Sequence, residues 1–196
     1  MQKKILSYNN LFKPKNKKWG GLRSKKNVNN KPFFSVITVV LNNPLGLEKT
    51  IKSILKQKEN YEYIIIDGGS TDDTLKIIKK YEHKINLWIS ENDNGIFDAM
   101  NKGLIFSKGK VISMINSGDT FNKKALTIAK NYFSKNSNLD FLFGSVMKKV
   151  LHYGYHPFKI NWSFNFNSSH SSGFFIKNDV QKKIGLYDTR FKLSAD

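Results

Sequence analysis

The chain has 196 residues, a length that most simply forms one domain with a hydrophobic core. It contains no cysteine, which excludes a disulfide framework and a cysteine-based zinc site. The formal net charge is +18, and residues 1–31 hold ten basic residues and no acidic residue. The composition therefore separates a basic amino-terminal segment from the rest of the chain.

The basic segment, residues 1–31, is also interrupted by asparagine, glycine and proline. We predict that it is a flexible arm and that residues 32–196 fold as the domain. The longest apolar run, residues 33–41, is far shorter than the ~20 residues of a membrane-spanning helix. The amino terminus also lacks the apolar core of a secretory signal. These features predict a cytoplasmic protein whose arm either contacts the anionic inner face of the cell membrane or is simply solvated.

From residue 35 onward, β-branched apolar runs alternate with segments whose apolar residues recur at helical spacing. The predicted order is strand 35–41, a helix to about 57, strand 61–66, a helix around 75–81, strand 87–90, helix 96–106, strand 111–115 and helix 123–134. This alternation predicts an α/β fold with a mostly parallel, doubly wound sheet. Beyond Asp140, strand-like segments follow one another without long helices, which predicts mixed or antiparallel additions to the sheet.

Three predicted strands end in loops that share small residues and a carboxylate: 67–70 (DGGS), 92–95 (NDNG) and 116–119 (NSGD). The carboxyl ends of parallel strands lie at one edge of a sheet, where ligands bind in open α/β folds. Glycines allow a nucleotide to approach the backbone, and helix amino termini favour phosphate. A magnesium ion needs only one or two protein carboxylates when substrate phosphates complete its ligands. The three loops therefore predict a nucleotide or metal site at this edge.

Two common phosphate-binding fingerprints are absent from the chain. There is no G-x-x-x-x-G-K-[ST] sequence, and no G-x-G-x-x-G sequence follows a predicted strand. This argues against a P-loop ATPase and against a dinucleotide-dependent dehydrogenase.

Four segments, 35–42 (SVITVVLN), 63–72 (YIIIDGGSTD), 91–103 (ENDNGIFDAMNKG) and 115–119 (INSGD), resemble the motifs of family-2 glycosyltransferases. Their order and spacing agree over about residues 33–196, and the resemblance is closest to bacterial enzymes that build surface polysaccharide. It implies the GT-A fold, which is a Rossmann-like α/β fold of the nucleotide-diphospho-sugar transferase type. It also implies inverting transfer of a sugar from a nucleotide-diphospho-sugar, expected to be UDP-linked, to a glycan or lipid-linked acceptor.

The resemblance also implies roles for single residues. Asp119 would hold Mg²⁺ or Mn²⁺ against the donor diphosphate, and Asp67 would accept a hydrogen bond from the uracil ring. An alternative for Asp67 is that it only caps a helix. The residues that would bind the donor nucleotide are Thr38, Val39, Leu41, Asp67, Asp93, Asn94, Gly95, Asn116 and Ser117. In the third motif, Asn116 and Gly118 stand where the family often has carboxylates, so Asp119 is its only acid.

On the acceptor side, the resemblance implies that Asp196 is the general base that deprotonates the acceptor hydroxyl. His170 is a candidate substrate contact, with a structural or merely exposed histidine as the alternative. The family normally continues with helices that cover the acceptor. We therefore predict that this chain is truncated at its carboxyl end, so that it binds the donor but can fail to transfer the sugar.

Two other functions remain open from the sequence. A sugar-1-phosphate nucleotidyltransferase has a similar architecture, but its glycine-rich loop after the first strand carries basic residues, and residues 41–46 (LNNPLG) have none. A non-enzymatic module that binds nucleic acid or another polyanion is motivated by the +18 charge.

Overall fold

A computed structural model describes residues 18–25, 31–147, 151–152 and 171–190. Within these ranges, seven strands form one sheet in the order β1-β4-β3-β2-β5-β9-β6, and β7 and β8 form a separate pair. The strands are β1 (Lys18–Gly20), β2 (Phe34–Val40), β3 (Tyr61–Asp67), β4 (Leu87–Ser90), β5 (Val111–Met114), β6 (Phe141–Phe143), β7 (Val146–Met147), β8 (Leu151–His152) and β9 (Phe174–Lys177).

The four central strands, β2 to β5, are parallel, as the sequence predicts. In β2, Val36 lies opposite Tyr63 of β3 and Ser113 of β5, and β3 pairs in the same sense with β4. The added strands are antiparallel, which confirms the expectation for the segment after Asp140: β9 pairs with β5, and β6 pairs with β9. Because β9 runs against β5, the beginning of β9 lies beside the carboxyl end of β5.

Helices cover both faces of the sheet: α1 (Leu22–Lys25), α2 (Pro44–Ile54), α3 (Thr74–Lys80), α4 (Ile96–Phe106), α5 (Ala125–Lys135) and α6 (Asn178–Ile184). Successive side chains of each strand point to opposite faces of the sheet, so they contribute alternately to two apolar clusters. One cluster joins the sheet to α2, α3 and α5, and the other joins it to α4 and to Val180 of α6. In α4, a Cβ on Gly103 would lie 2.3 Å from Cγ2 of Ile37, so glycine permits the close approach of this helix to β2.

Several predicted boundaries differ from the observed ones. Helix α2 ends at Ile54 rather than near residue 57, and α6 was not predicted at all. Of the strand-like segments expected beyond Asp140, residues 146–147 and 151–152 form the short strands β7 and β8, and residues 153–170 lie outside the described ranges. Within the described ranges, no helix has the length and apolarity that crossing a membrane requires.

The prediction that the flexible arm extends through residue 31 is wrong for residues 18–25. Strand β1 pairs antiparallel with β4, with Trp19 opposite Ile89. Arg23 forms an ion pair with the buried Glu62, and its Nη1 donates to the carbonyl of Phe106 at 2.9 Å. This segment therefore belongs to the folded domain, while residues 1–17 lie outside the described ranges.

Candidate donor site

The loops after β2, β3, β4 and β5 meet at one edge of the sheet, here called the carboxyl edge. The loop after β2 is bonded to two others. Its Asn42 backbone N–H donates to Oγ of Ser70 at 2.8 Å, and Asn43 Nδ2 lies 3.3 Å from both the carbonyl oxygen and Oγ of Ser117. The convergence predicted from the sequence is therefore confirmed, and hydrogen bonds hold it in place.

Asp67 ends β3 and is completely buried. Its carboxylate accepts hydrogen bonds from the Ser70 hydroxyl at 2.5 Å, the Ser90 hydroxyl at 2.7 Å and the Ser70 backbone N–H at 3.2 Å and 3.3 Å. These hydrogen bonds organise the loops after β3 and β4, and they fit the alternative in which Asp67 has a structural role. The predicted contact of Asp67 with the uracil ring stays a prediction.

The loops after β3 and β4 pack against each other through two glycines. A Cβ on Gly68 would lie 2.4 Å from Oδ2 of Asp93, and one on Gly69 would lie 2.1 Å from Oδ1 of Asn92. The side chains of Asn92 and Asp93 thus occupy the space that side chains at positions 68 and 69 would need. A larger residue at Gly68 would displace the Asp93 side chain, and one at Gly69 would also be strained by the φ of +86° at that position.

Asp93 presents a half-buried carboxylate at the carboxyl edge. Its Oδ1 accepts from the N–H of Gly95 at 3.0 Å. Desolvation raises the pKa of the Asp93 carboxyl, and the nearby charges of Asp98 and Asp67 raise it further, while the Gly95 N–H and the Lys102 ammonium oppose this shift. Carboxyl groups with a pKa raised in this way are common in functional sites.

Lys102 of α4 lies buried beneath the loop after β4. Its Nζ is 3.1 Å from a carboxylate oxygen of Glu91, 3.2 Å from one of Asp98 and 3.4 Å from the carbonyl of Asn92. Asp98 in turn accepts from the N–H of Asn94 at 3.1 Å. These contacts hold residues 91–95 at the start of α4, where the N–H groups of a helix favour anions.

The turn 116–119 follows β5 and carries the remaining predicted residues. Gly118 has φ of +105°, a conformation that disfavours any residue with a side chain, which explains why no carboxylate stands there. Asp119 donates its N–H to the carbonyl of Asn116 at 3.1 Å, closing the turn. The Oδ1 atom of Asn116 is buried and, among the described residues, has no hydrogen-bond partner.

Three polar residues on one side of α2 support this turn and were missed by the sequence analysis. The Thr50 hydroxyl lies 2.7 Å from the carbonyl of Asp119 and accepts from the N–H of Gly118 at 2.9 Å. Ser53 accepts from the N–H of Phe121 at 3.2 Å, and Gln57, just beyond the helix, donates to the carbonyl of Asn122 at 2.9 Å. Their signal in the sequence is buried polar residues at helical spacing within an otherwise apolar stripe.

A further contact reaches the turn from a distant segment. The hydroxyl of Ser172, just before β9, donates to Oδ2 of Asp119 at 2.6 Å. Ser172 also lay outside the predicted site, because its approach depends on the antiparallel pairing of β5 with β9.

The sequence profile of the family described as "Glycosyl transferase family 2" matches residues 35–189. The chain belongs to this family. An uncharacterized glycosyltransferase of Mycobacterium tuberculosis is 32% identical over 174 residues, which cover 84% of this chain and 66% of that relative. This family-2 chain thus spans just under two thirds of the relative's length.

Two solved structures show that this family-2 chain has the GT-A fold. TarS (residues 1–349) of Staphylococcus aureus, in complex with UDP, has a TM-score of 0.67 and 23% identity, over 81% of this chain and 51% of that one. A mannosyltransferase of Pyrobaculum calidifontis, in complex with GDP-Man and Mn²⁺, has a TM-score of 0.65 and 14% identity, over 96% of this chain and 55% of that one.

Among the residues predicted to bind the donor nucleotide of this family-2 chain, those of β2 need correction. Thr38 is completely buried, and its Oγ1 accepts from the Tyr63 hydroxyl at 3.1 Å, so it belongs to the core. Val39 packs in the apolar cluster beneath α4, although its carbonyl accepts from the N–H of Ser117 at 3.2 Å. Leu41 is 55% exposed at the carboxyl edge and remains a candidate donor contact. Asp196 and His170 lie outside the described residues, so their roles stay predictions.

The residues at the turn after β5 fit a hard divalent cation. The described residues contain no group of three histidines, cysteines or carboxylates that could hold a metal ion unaided. The turn instead combines the Asp119 carboxylate with the buried Asn116 Oδ1, which has no hydrogen-bond partner in the described part of the chain. Oxygen ligands of this kind suit Mg²⁺ or Mn²⁺ when the phosphates of a substrate supply further oxygens.

Proposed function

We propose that this chain binds a nucleotide-diphospho-sugar, with UDP as the nucleotide, and transfers the sugar with inversion to a glycan or lipid-linked acceptor of a surface polysaccharide. The observation that carries the proposal is the turn 116–119. It brings the Asp119 carboxylate and the Asn116 Oδ1, which no described residue hydrogen-bonds, to the edge where the loops after β2, β3 and β4 converge. Membership of family 2 supports the reaction class.

In the proposed complex, the nucleoside lies across the exposed Leu41 and beside the half-buried carboxylate of Asp93. Asn94, Gly95 and Ser117 border the phosphates and the sugar, close to the beginning of α4. Asp67 holds the two flanking loops together through its hydrogen bonds to Ser70 and Ser90, and it remains the residue proposed to accept a hydrogen bond from the uracil ring.

Asp119 and Asn116 are the residues that would hold Mg²⁺ or Mn²⁺. A bound divalent ion supplies positive charge that stabilises the negative charge developing on the leaving nucleoside diphosphate. Thr50 contacts the Asp119 carbonyl and the Gly118 N–H and so fixes the backbone of the turn. The Asp119 carboxylate is therefore held at a defined position.

Transfer with inversion needs an acceptor hydroxyl that attacks the anomeric carbon opposite the leaving diphosphate. The bond between that carbon and the diphosphate oxygen breaks as the new glycosidic bond forms, and the hydroxyl proton passes to a carboxylate base. Asp196 remains the proposed base.

Calorimetric titration with UDP tests the donor site directly. We expect the chain to bind UDP in the presence of Mn²⁺ and to bind it more weakly with a chelator. Asp119→Ala should weaken the metal-dependent binding tenfold or more, about 1.4 kcal/mol. Asp140→Ala is the matched control, since it removes the same charge from an exposed pair with Lys177 at the far edge of the sheet. UDP binding that needs no metal, or that survives Asp119→Ala unchanged, would contradict the proposal.

A further inference from the structure

We propose that Ser172 is a positioning residue of the metal site, whose hydroxyl fixes the orientation of the Asp119 carboxylate. The inference rests on the proposed function of that carboxylate. Ser172 lies 53 positions beyond Asp119 in the chain, and its Oγ donates to Oδ2 of Asp119 at 2.6 Å. A hydrogen bond to an ionised acceptor is shorter and about twice as strong as one between neutral groups.

The backbone around Ser172 is fixed from two sides. On one side, the Ser113 hydroxyl of β5 donates to the carbonyl of Phe174 at 3.0 Å. On the other, the N–H of Gly144 donates to the carbonyl of Gly173 at 2.7 Å. A Cβ on Gly173 would lie only 2.8 Å from the carbonyl oxygen of Gly144, so this turn is pressed closely against its neighbour.

The antiparallel pairing of β9 with β5 explains why the serine reaches this carboxylate. The pairing registers Ser113 with Phe175, so the residues before β9 continue beside the residues after β5. Ser172 lies in a short 3₁₀ turn, 171–173, at the beginning of β9, and Asp119 lies in the turn after β5. The contact is therefore a consequence of sheet topology.

This arrangement predicts a specific effect on metal affinity. Carboxylates that bind metals are usually hydrogen-bonded themselves, and loss of such an outer partner typically weakens metal affinity about 10- to 100-fold. Removal of the Ser172 hydroxyl takes away a hydrogen bond that favours one orientation of the Asp119 carboxylate, so the ion would meet a less well-oriented ligand.

The test is titration of the chain with Mn²⁺ at saturating UDP, with free Mn²⁺ measured by electron paramagnetic resonance. Ser172→Ala should weaken Mn²⁺ binding about tenfold or more, whereas UDP binding in the presence of a chelator should be unchanged. Ser172→Thr, which keeps a hydroxyl, should restore most of the affinity. Ser113→Ala is the matched control, because it removes a serine hydroxyl that secures β9 without touching Asp119.

Each outcome is decisive. Wild-type Mn²⁺ affinity in Ser172→Ala would overturn the inference, and so would an equal loss in Ser113→Ala, since the effect would then come from loosening β9. Failure of threonine to restore binding would likewise contradict a role for the hydroxyl. If the unaltered chain itself binds no Mn²⁺ with UDP, the proposed function fails instead, so the two failures are distinguishable.

Discussion

Strand β3 has a buried carboxylate near each end, and the two are satisfied in different ways. Glu62, near the beginning, pairs with Arg23 and accepts hydrogen bonds from the Ser35 hydroxyl and two backbone N–H groups of 108–109. Asp67, at the end, accepts from the hydroxyls of Ser70 and Ser90 and from a backbone N–H. Among the described residues, no lysine or arginine forms an ion pair with Asp67.

This contrast separates a region that stabilises the fold from the region where we propose that the donor binds. At the amino edge, where the four parallel strands begin, the cation neutralises the carboxylate and ties residues 18–25 to the sheet. At the carboxyl edge, the hydrogen-bond donors to Asp67 are neutral hydroxyls and a backbone N–H, and Asp93 and Asp119 lie at the same edge. A chain of net charge +18 thus gathers aspartates at one edge, which favours a divalent cation that can bridge to a diphosphate.

The largest expected effect on stability comes from removing the Arg23–Glu62 ion pair at the amino edge. Arg23→Ala should lower the free energy of unfolding by about 3 kcal/mol, because it leaves the buried Glu62 carboxylate without its cation. Urea denaturation measures the loss. Lys76→Ala is the control, since its pair with Asp73 is exposed and contributes little to stability.

UDP affinity of the folded Arg23→Ala protein should stay close to that of the wild type, because Arg23 lies far from the carboxyl edge in the fold. A large loss of affinity in a folded variant would show that the two edges are not independent. A truncation designed to remove only the basic arm should stop at residue 17, since deletion through residue 31 also removes Arg23.

A smaller effect on stability, combined with an effect on binding, is expected at the carboxyl edge. Thr50→Val keeps the shape of the side chain but removes the hydroxyl that joins the Asp119 carbonyl and the Gly118 N–H. The free energy of unfolding should fall by about 1–2 kcal/mol, and metal-dependent UDP binding should weaken as the turn loosens.

Thr50→Ser provides the control, because it retains the hydroxyl and loses only a methyl group. It should bind UDP with Mn²⁺ nearly as the wild type does in calorimetric titration. Equal UDP affinity in the valine variant would mean that the turn 116–119 holds its shape without support from α2.

Much of the fold was predictable because its signals are local. Each βα unit carries its own apolar periodicity and stop signals, and the parallel order of β2 to β5 follows from the helices between them. The position of β9 between β5 and β6 was not predictable, because β9 pairs with residues about 60 positions away in β5 and about 30 positions away in β6. Strand β1 was missed because the dense positive charge of residues 1–31 concealed Arg23, whose partner lies 39 residues away.

The candidate site was predicted at the level of loops rather than side chains. The alternation of β2 could have corrected Thr38, since residues 34, 36, 38 and 40 share the face that carries Val36 and Val40 of the first apolar cluster. Asp67 could not be assigned from sequence, because a carboxylate after a strand looks the same whether it is open to a base or enclosed by two serines. Ser172 had no local signal at all.

The smallest expected effect is a change in stability whose size depends on pH. The pKa of the Asp93 carboxyl is raised above its ordinary value of 3.8, chiefly by desolvation. The folded state therefore penalises the ionised form, and any stability gained from protonation is lost as pH rises through the folded-state pKa. Asp93→Asn should thus leave the protein as stable or more stable at pH 7, by about 0.5 kcal/mol at most, and this gain should disappear as pH falls toward 4.

Asp72→Asn supplies a control of opposite sign, because hydrogen bonding to Thr74 lowers the pKa of Asp72. Its variant should be less stable than the wild type at pH 7, and the deficit should shrink as pH falls. Urea denaturation at pH 7 and at lower pH measures both variants, and calorimetry should show weaker UDP binding only for Asp93→Asn. A destabilised Asp93→Asn at pH 7 would mean that this carboxylate stabilises the fold as Glu62 does, and the contrast between the two edges would then not extend to Asp93.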